Sequence, residues 1–352
     1  MAMDKYAIKA AKEAARYEKR KKENRAMMQK VAELRAAGHY KAATKLEAKA
    51  IKKLSKISES AGDHLFNVIT SILLLLVIII VGYPVWFVVV ASFSSSSALQ
   101  AGLVSVWPVE GTISGYQFIL EYEMVWIGYR NSIFYTFMGV LFTMAATILT
   151  AYPLSRRTYQ GRSQMMLFFY LCTLFGAGMI PTFLVKMNLG LYKNIWAVLL
   201  QGTVAVSHII ILRTAFQSSI PGDLFDAAKI DGANDFQCLV KIALPLAKAT
   251  LSVLVLYIIV GAWNEYFTSM IYLADLQNLW PLQLVLKPIM TAASSFSMDT
   301  SGMSGAAQDT ANDGLEQVRY GLIVVSTVPP LIAYFLIQKA FKGGVMVGSV
   351  KG

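Results

Sequence analysis

From residue 66 onward the chain alternates long apolar runs with short polar stretches, and the runs recur at lengths that suit a bilayer crossing of about 20 residues. This pattern predicts transmembrane helices over residues 66–93, 131–154, 165–185, 195–212, 249–272 and 320–340, about six in all. Pro181 in the third run and Pro329 and Pro330 in the sixth remove amide donors and predict kinks. Gly176 and Gly178, just ahead of Pro181, offer a break where backbone could face a pore. The first run starts after about sixty mostly polar residues, so it reads as a span and not as a cleavable signal peptide. The expected architecture is an all-α, polytopic membrane protein, with a basic extension over residues 1–60 and a transmembrane domain over 61–352.

Composition agrees with the pattern. Apolar residues make up 56% of the chain and charged residues 15%, where ordinary soluble domains carry about a quarter charged. The net charge of +11 is a property of one end: residues 1–60 hold 17 Lys or Arg against 7 Asp or Glu, which leaves the remainder nearly neutral. That extension is rich in Ala, Lys, Glu and Arg, with Gly38 as a break, and predicts helices over residues 5–36 and 39–57. Leu46, Ala50, Leu54 and Ile57 form a modest stripe on the second. The extension reads as an element drawn to anionic membrane lipid and packed near the cytoplasmic loops, with a solvated helical hairpin as the alternative. Its interleaved acids and the absence of a recognisable binding motif argue against nucleic acid.

Basic residues prefer cytoplasmic loops. Arg156, Arg157 and Arg162 follow the second run, Arg213, Lys229, Lys241 and Lys248 lie between the fourth and fifth, and Lys342 and Lys351 follow the sixth. These loops and both termini are expected inside. Residues 99–126 contain no Lys or Arg, and residues 274–318 contain Lys287 alone, so both are expected outside; Arg130, Lys186, Lys193 and Arg319 run against the bias. Arg130 reads as an interfacial anchor. The 274–318 segment, rich in Ser, Ala, Gly, Asp and Thr, predicts a long external loop or spacer.

One polar stretch, residues 220–251, breaks the apolar pattern with its own helix signals. Ser219 is a candidate N-cap, Pro221 suits an early helical position, and Asp223 and Asp226 place acid near the positive end of a short helix reaching Ile230. Gly232 supplies the left-handed residue that ends it, Asn234 or Asp235 can cap a second helix, and Pro245 predicts a kink before the fifth span. The order Asp226-Ala227-Ala228, then Gly232, then Ile242-Ala243-Leu244-Pro245 resembles the EAA signature of binding-protein-dependent ABC importer permeases. In that family this loop is the coupling helix that seats in the ATPase subunit. Asp231, Gly232, Ala233, Phe236, Leu244 and Pro245 therefore join Asp226, Ala227 and Ala228 as expected coupling residues. The usual Glu is Asp226 here, which shortens the carboxylate arm by one methylene. The stretches Gly128-Tyr129-Arg130-Asn131-Ser132 and Ala151-Tyr152-Pro153-Leu154-Ser155-Arg156, with the ending Gly343-Gly344-Val345-Met346-Val347-Gly348-Ser349-Val350-Lys351-Gly352, resemble a maltose-type subgroup associated with complex oligosaccharides in Gram-positive bacteria. The resemblance implies alternating access in the cell membrane. It also implies a homologous second permease, two ATPase subunits that bind ATP and magnesium, and an extracytoplasmic solute-binding protein that meets the 274–318 loop. This chain itself would bind no cofactor.

Candidate chemistry is sparse. No phosphate-binding G-x-x-x-x-G-K-[ST] loop occurs, and the three histidines, His39, His64 and His208, lie in separate regions without metal-ligand spacing, so each reads as structural or incidental and an enzymatic role is not expected. Cys172 and Cys238 fall in different environments and predict no disulfide. The polar cluster Trp263-Asn264-Glu265-Tyr266 stands out inside the fifth run and resembles a stretch common in carbohydrate permeases. Either Trp263 or Tyr266 stacks a sugar ring while Asn264 or Glu265 bonds its hydroxyls, or the cluster joins helices of the two permeases. A stand-alone ion-coupled transporter with Glu265 as the ion site is the alternative function.

Overall fold

The computed structural model describes residues 22, 25–37, 39, 40, 42–44, 46, 47, 61–299 and 315–348. The chain divides into two compact units, residues 1–82 and 83–352. In the first unit, residues 25–36 are helical, the His39 amide bonds the Leu34 carbonyl at 2.9 Å, and helix resumes at Tyr40. Arg35 pairs with Glu47 at 2.7 Å across this turn. The predicted helices thus flank a turn beside Gly38, while their far ends, with Ala50, Leu54 and Ile57, lie outside the described residues.

The main elements, in order, are α1 (Ala61–Ser92), α2 (Ser114–Glu121), α3 (Glu123–Ser155), α4 (Arg162–Leu174), α5 (Met179–Asn188), α6 (Val206–Ser219), α7 (Gly222–Ile230), α8 (Asp235–Leu246), α9 (Lys248–Trp263), α10 (Phe267–Tyr272), α11 (Leu282–Asp299) and α12 (Leu315–Gly348). No strand occurs among the described residues. Among the described residues, three single helices are long and apolar enough to cross a membrane: α1 from His64, α3, and α12 over Gln317–Gln338. The α4–α5 pair, bent by 114°, and the α8–α9 pair, bent by 82°, bring the count to five if each is one span.

The all-α membrane architecture expected from the sequence is present, and several of its runs are interrupted. The third breaks over residues 175–178, where Gly178 takes φ +76° and Pro181 sits in the first turn of α5. The fourth is split: a single turn at Trp196–Leu199 is followed by a loop with Gly202 at φ +72°, and only then by α6. The fifth ends at Trp263 and resumes as the six-residue α10. By contrast, α12 runs through Pro329 and Pro330 as one helix. The segment expected as a long external loop contains α11 as far as Asp299, its apolar face Leu282, Val285, Leu286 and Ile289 being hidden from a composition-based reading by the Ser- and Ala-rich tail after it. Residues 300–314 and 349–352 lie outside the described set.

Packing centres on α3, which touches α6, α9 and α11, while α12 packs on α9, α2 and α11. α3 begins two turns earlier than the hydropathy pattern predicts, so Arg130 and Asn131 are inside the helix and not at its start. One face of α3 clasps the segment before α11. Asn131 is buried and donates Nδ2 to the carbonyls of Asn278 and Trp280 at 2.9 and 3.0 Å, Tyr135 Oη donates to Leu279 O at 2.7 Å, and Ser132 Oγ accepts the Leu282 amide at 2.8 Å. Gly128 permits that approach, since a Cβ there would come within 2.9 Å of Leu282 Cα. These buried polar groups are tolerated because each is paired.

A second clasp lies where α1, α2 and α12 meet. Gln317, fully buried, accepts from Ser114 Oγ at 2.8 Å and from the Gly115 amide at 3.1 Å, and its Nε2 donates to the carbonyls of Thr112 and Ser92 at 2.7 and 3.3 Å. Elsewhere, in the connections flanking the fourth and fifth runs, Lys193 pairs with Asp275 at 2.7 Å, and that hydrogen bond raises the ammonium pKa above its ordinary value. A base whose folded pKa is raised contributes below its unfolded pKa and loses that contribution as pH climbs through the folded one, so this link weakens only in strong alkali.

Candidate coupling loop and translocation cavity

The loop between α6 and α9 is built from two interlocking caps. Pro221, not Ser219, is the N-cap of α7, because Ser219 is still the last residue of α6. At the other end Gly232 takes φ +80°, its amide bonds Lys229 O at 3.0 Å, and the Ala233 amide reaches back to Ala228 O at 2.9 Å. This six-to-one and five-to-two pair closes the helix carbonyls and reverses the chain. Asn234 then opens α8 reciprocally: its Oδ1 accepts the Gln237 amide at 2.8 Å, and Gln237 Oε1 accepts the Asn234 amide at 2.9 Å. With both ends closed, few loop conformers remain.

The core holds this loop from beneath. Phe225 is buried against Tyr152, the Arg156 guanidinium lies 3.6 Å over its ring, and Ala228, Ala233 and Leu244 pack on the same cluster. What faces outward is mixed: Ile230 is 87% exposed and Phe236 69%, with Asp226, Ala227, Asp231 and Pro245 open or partly open around them. Residues Leu239–Ala243 form a π turn, and the 82° bend falls at Ala247, two residues after Pro245. The nine coupling residues predicted from the sequence therefore divide, three gripping the core and the rest on or beside the open face.

The intramembrane cluster also divides. Trp263 is 3% exposed, its indole nitrogen donates to Ser326 O at 2.8 Å, and its ring joins α9 to α12. Asn264 turns back to donate to Val260 O at 2.9 Å, ending α9. Glu265 accepts the Thr268 amide at 2.6 Å in the first turn of α10, and also lines a cavity of 310 Å³. Tyr266 faces outward with the Lys287 ammonium 4.7 Å above its ring. Of the four, Glu265 alone enters the cavity.

The other polar walls of that cavity are Tyr135, Thr143, Gln201, His208 and Tyr257. His208 Nδ1 is buried without a hydrogen-bond partner, and Gln201 accepts from the Lys186 ammonium at 2.5 Å. His208, incidental by its spacing in the sequence, is thus a wall of the cavity. The available signal was that Gln201 and His208 interrupt an otherwise apolar run.

No family model matches the chain. It is 34% identical to the polygalacturonan/rhamnogalacturonan transport system permease protein YtcP of Bacillus subtilis, over 82% of this chain and 99% of that protein. It is 31% identical to the Bacillus subtilis protein LplC, over 76% of this chain and 89% of the relative. A crystal structure of a bacterial ABC transporter involved in the import of the acidic polysaccharide alginate contains a chain that it matches with a TM-score of 0.70 and 32% identity, over 81% of this chain and 100% of the other. The chain belongs to the permease subunits of ABC carbohydrate importers. Permeases of this family are integral membrane proteins and are not themselves enzymes, and because they serve ABC importers the ion-coupled alternative built on Glu265 falls away. Membership also implies a second permease, ATPases and a solute-binding protein.

Proposed function

We propose that this permease carries an oligosaccharide inward by alternating access, with the α7–α8 loop as the coupling element and the Glu265 cavity as part of the sugar pathway. ATP and magnesium act on two partner ATPases. Residues 1–60 form a cytoplasmic extension, residues 61–352 form the transmembrane domain, and both termini and the loop lie on the cytoplasmic side. The observation that carries the reading is the doubly capped loop. Its backbone is fixed by the bonds around Gly232 and Asn234, its base is locked by Phe225, and it leaves Ile230 and Phe236 open. A rigid lever with an exposed apolar tip is what a push from an ATPase requires, since a floppy loop would absorb the motion.

Tyr266, exposed outside the cavity with the Lys287 ammonium over its ring, is the aromatic side chain offered for sugar stacking, while Gln201, His208 and Glu265 supply hydrogen-bonding groups in the cavity. Lys186 at its edge favours a sugar bearing carboxylates, a chemistry in keeping with the polygalacturonan and alginate named for the related transporters. The test is the complete importer in proteoliposomes, comparing wild type with Phe236→Ala. Truncating an exposed apolar anchor at an interface costs about 2 kcal/mol or more. Binding-protein-stimulated ATP hydrolysis and sugar uptake should therefore fall together, by roughly 10-fold or more. Wild-type stimulation and uptake in the variant would overturn the assignment of this loop.

A further inference from the structure

A second, larger cavity of 830 Å³ lies where α3, α4, α6 and α7 meet. Four guanidiniums line it, those of Arg156, Arg157, Arg162 and Arg213, against two carboxylates, Asp223 and Asp226. Among the described residues none of the four arginines forms an ion pair with a carboxylate. Two are committed to the fold: Arg213 Nε donates to Leu154 O at 3.0 Å, and Arg156 covers the Phe225 ring. Arg157 is exposed and Arg162 partly so, and no described carboxylate neutralises either.

The position of these charges matters as much as their number. α3, long and apolar enough to cross a membrane, ends at Ser155, and α4, the first half of a bent pair that passes the same test, begins at Arg162, so the arginines gather at the polar junction between two apolar elements. On the α4 side the wall is Met166 and Tyr170, and just beyond them Leu167, Phe168 and Leu171 present a bare apolar face. We propose that this cavity binds the phosphate of an anionic phospholipid, whose acyl chains lie along α4. Guanidinium forks match phosphate oxygens in pairs, and basic pockets between spans attract anionic headgroups.

The experiment uses the full-length chain in mild detergent micelles containing equal amounts of palmitoyl-oleoyl phosphatidylglycerol and phosphatidylcholine, with bound lipid read by native mass spectrometry. Phosphatidylglycerol should be retained preferentially. The double variant R157Q/R162Q should lose about 30-fold in that preference, at about 5-fold for each arginine. The control K241Q/K248Q, which removes two cations outside the cavity, should keep the preference. Melting curves in phosphatidylcholine alone establish that the variants fold. If the double variant unfolds, R162Q alone is compared, with an expected loss of about 5-fold. Equal retention of both lipids, or an undiminished preference in R157Q/R162Q, would overturn the proposal. So would displacement of the lipid by millimolar inorganic phosphate, which would make the occupant a free anion, or its loss on assembly with the ATPases, which would make it a protein.

Discussion

At the scale of single residues, Gly232 and Gln317 show two different ways of being indispensable. At Gly232 nothing lies within 4 Å of an added Cβ, so the constraint there is purely conformational. A left-handed L-residue costs about 1–2 kcal/mol, more for a β-branched one and less for Asn. Gly232→Val is expected to leave the chain folded but reshape the loop, uncoupling ATP hydrolysis from uptake, whereas Gly232→Asn should retain most transport. Assays of both activities on the assembled importer distinguish them, and unchanged coupling in the valine variant would refute the role. Gln317 is a matter of satisfaction: its amide answers four groups at once, and Gln317→Leu would strand Gly115 N and the Thr112 and Ser92 carbonyls. The expected cost is about 3 kcal/mol, seen as a clear drop in melting temperature in detergent, with a smaller loss for Gln317→Asn.

At the scale of elements, the hinge after α9 separates two residues that the sequence could not rank. Trp263 is part of the α9–α12 packing, while Tyr266 stands clear of it. Trp263→Phe should lower thermal stability by about 1–2 kcal/mol through the orphaned Ser326 carbonyl and lost ring volume, with little change in the sugar concentration for half-maximal uptake. Tyr266→Ala should do the reverse. Melting curves beside uptake titrations read both effects, and a Tyr266→Ala protein with unaltered uptake would remove that ring from the pathway. The end of α7 at Gly232 and the N-cap of α8 at Asn234 were legible because glycine and asparagine act locally, whereas the N-cap of α7 fell at Pro221 and not at Ser219, which the preceding helix claims. The break in the third run was legible from Gly176, Gly178 and Pro181, while those in the fourth and fifth were harder to read, because unbroken hydropathy is what a bent segment and a straight one share. The clasp of Asn131, Ser132 and Tyr135 on residues 278–282 joins positions about 150 apart in the chain, which no local pattern reports. Gln201 and His208 meet Glu265 for the same kind of reason.

At the scale of the whole molecule, membership in the ABC carbohydrate importers explains why so much apolar surface stays open. In α1 the most apolar 18-residue window has no buried residue, and in α12 only 11% of the corresponding window is buried. Such faces need lipid or another membrane chain to cover them. A permease that supplies part of a pathway is expected to move no sugar by itself: the chain reconstituted alone, with a proton or sodium gradient imposed, should show background uptake, and the addition of the second permease, ATPases, binding protein and ATP should restore it. Gradient-driven uptake by the lone chain would contradict this.

The π turn at Leu239–Ala243 limits how far the loop can change in length. A π turn holds one residue more than the α-helix around it, so the backbone there carries the equivalent of a tolerated insertion. Deleting one residue within the turn would let the ladder revert to α geometry with the flanking segments close to their present phase, whereas a further inserted residue has no such outlet and would rotate the downstream segment by about 100°, the angle per residue of a helix. Leu244 would then swing away from the cluster that supports the loop. The segment is thus indexed by residue number in one direction: a one-residue shortening inside the turn leaves the lever aimed, while a one-residue lengthening turns it off axis.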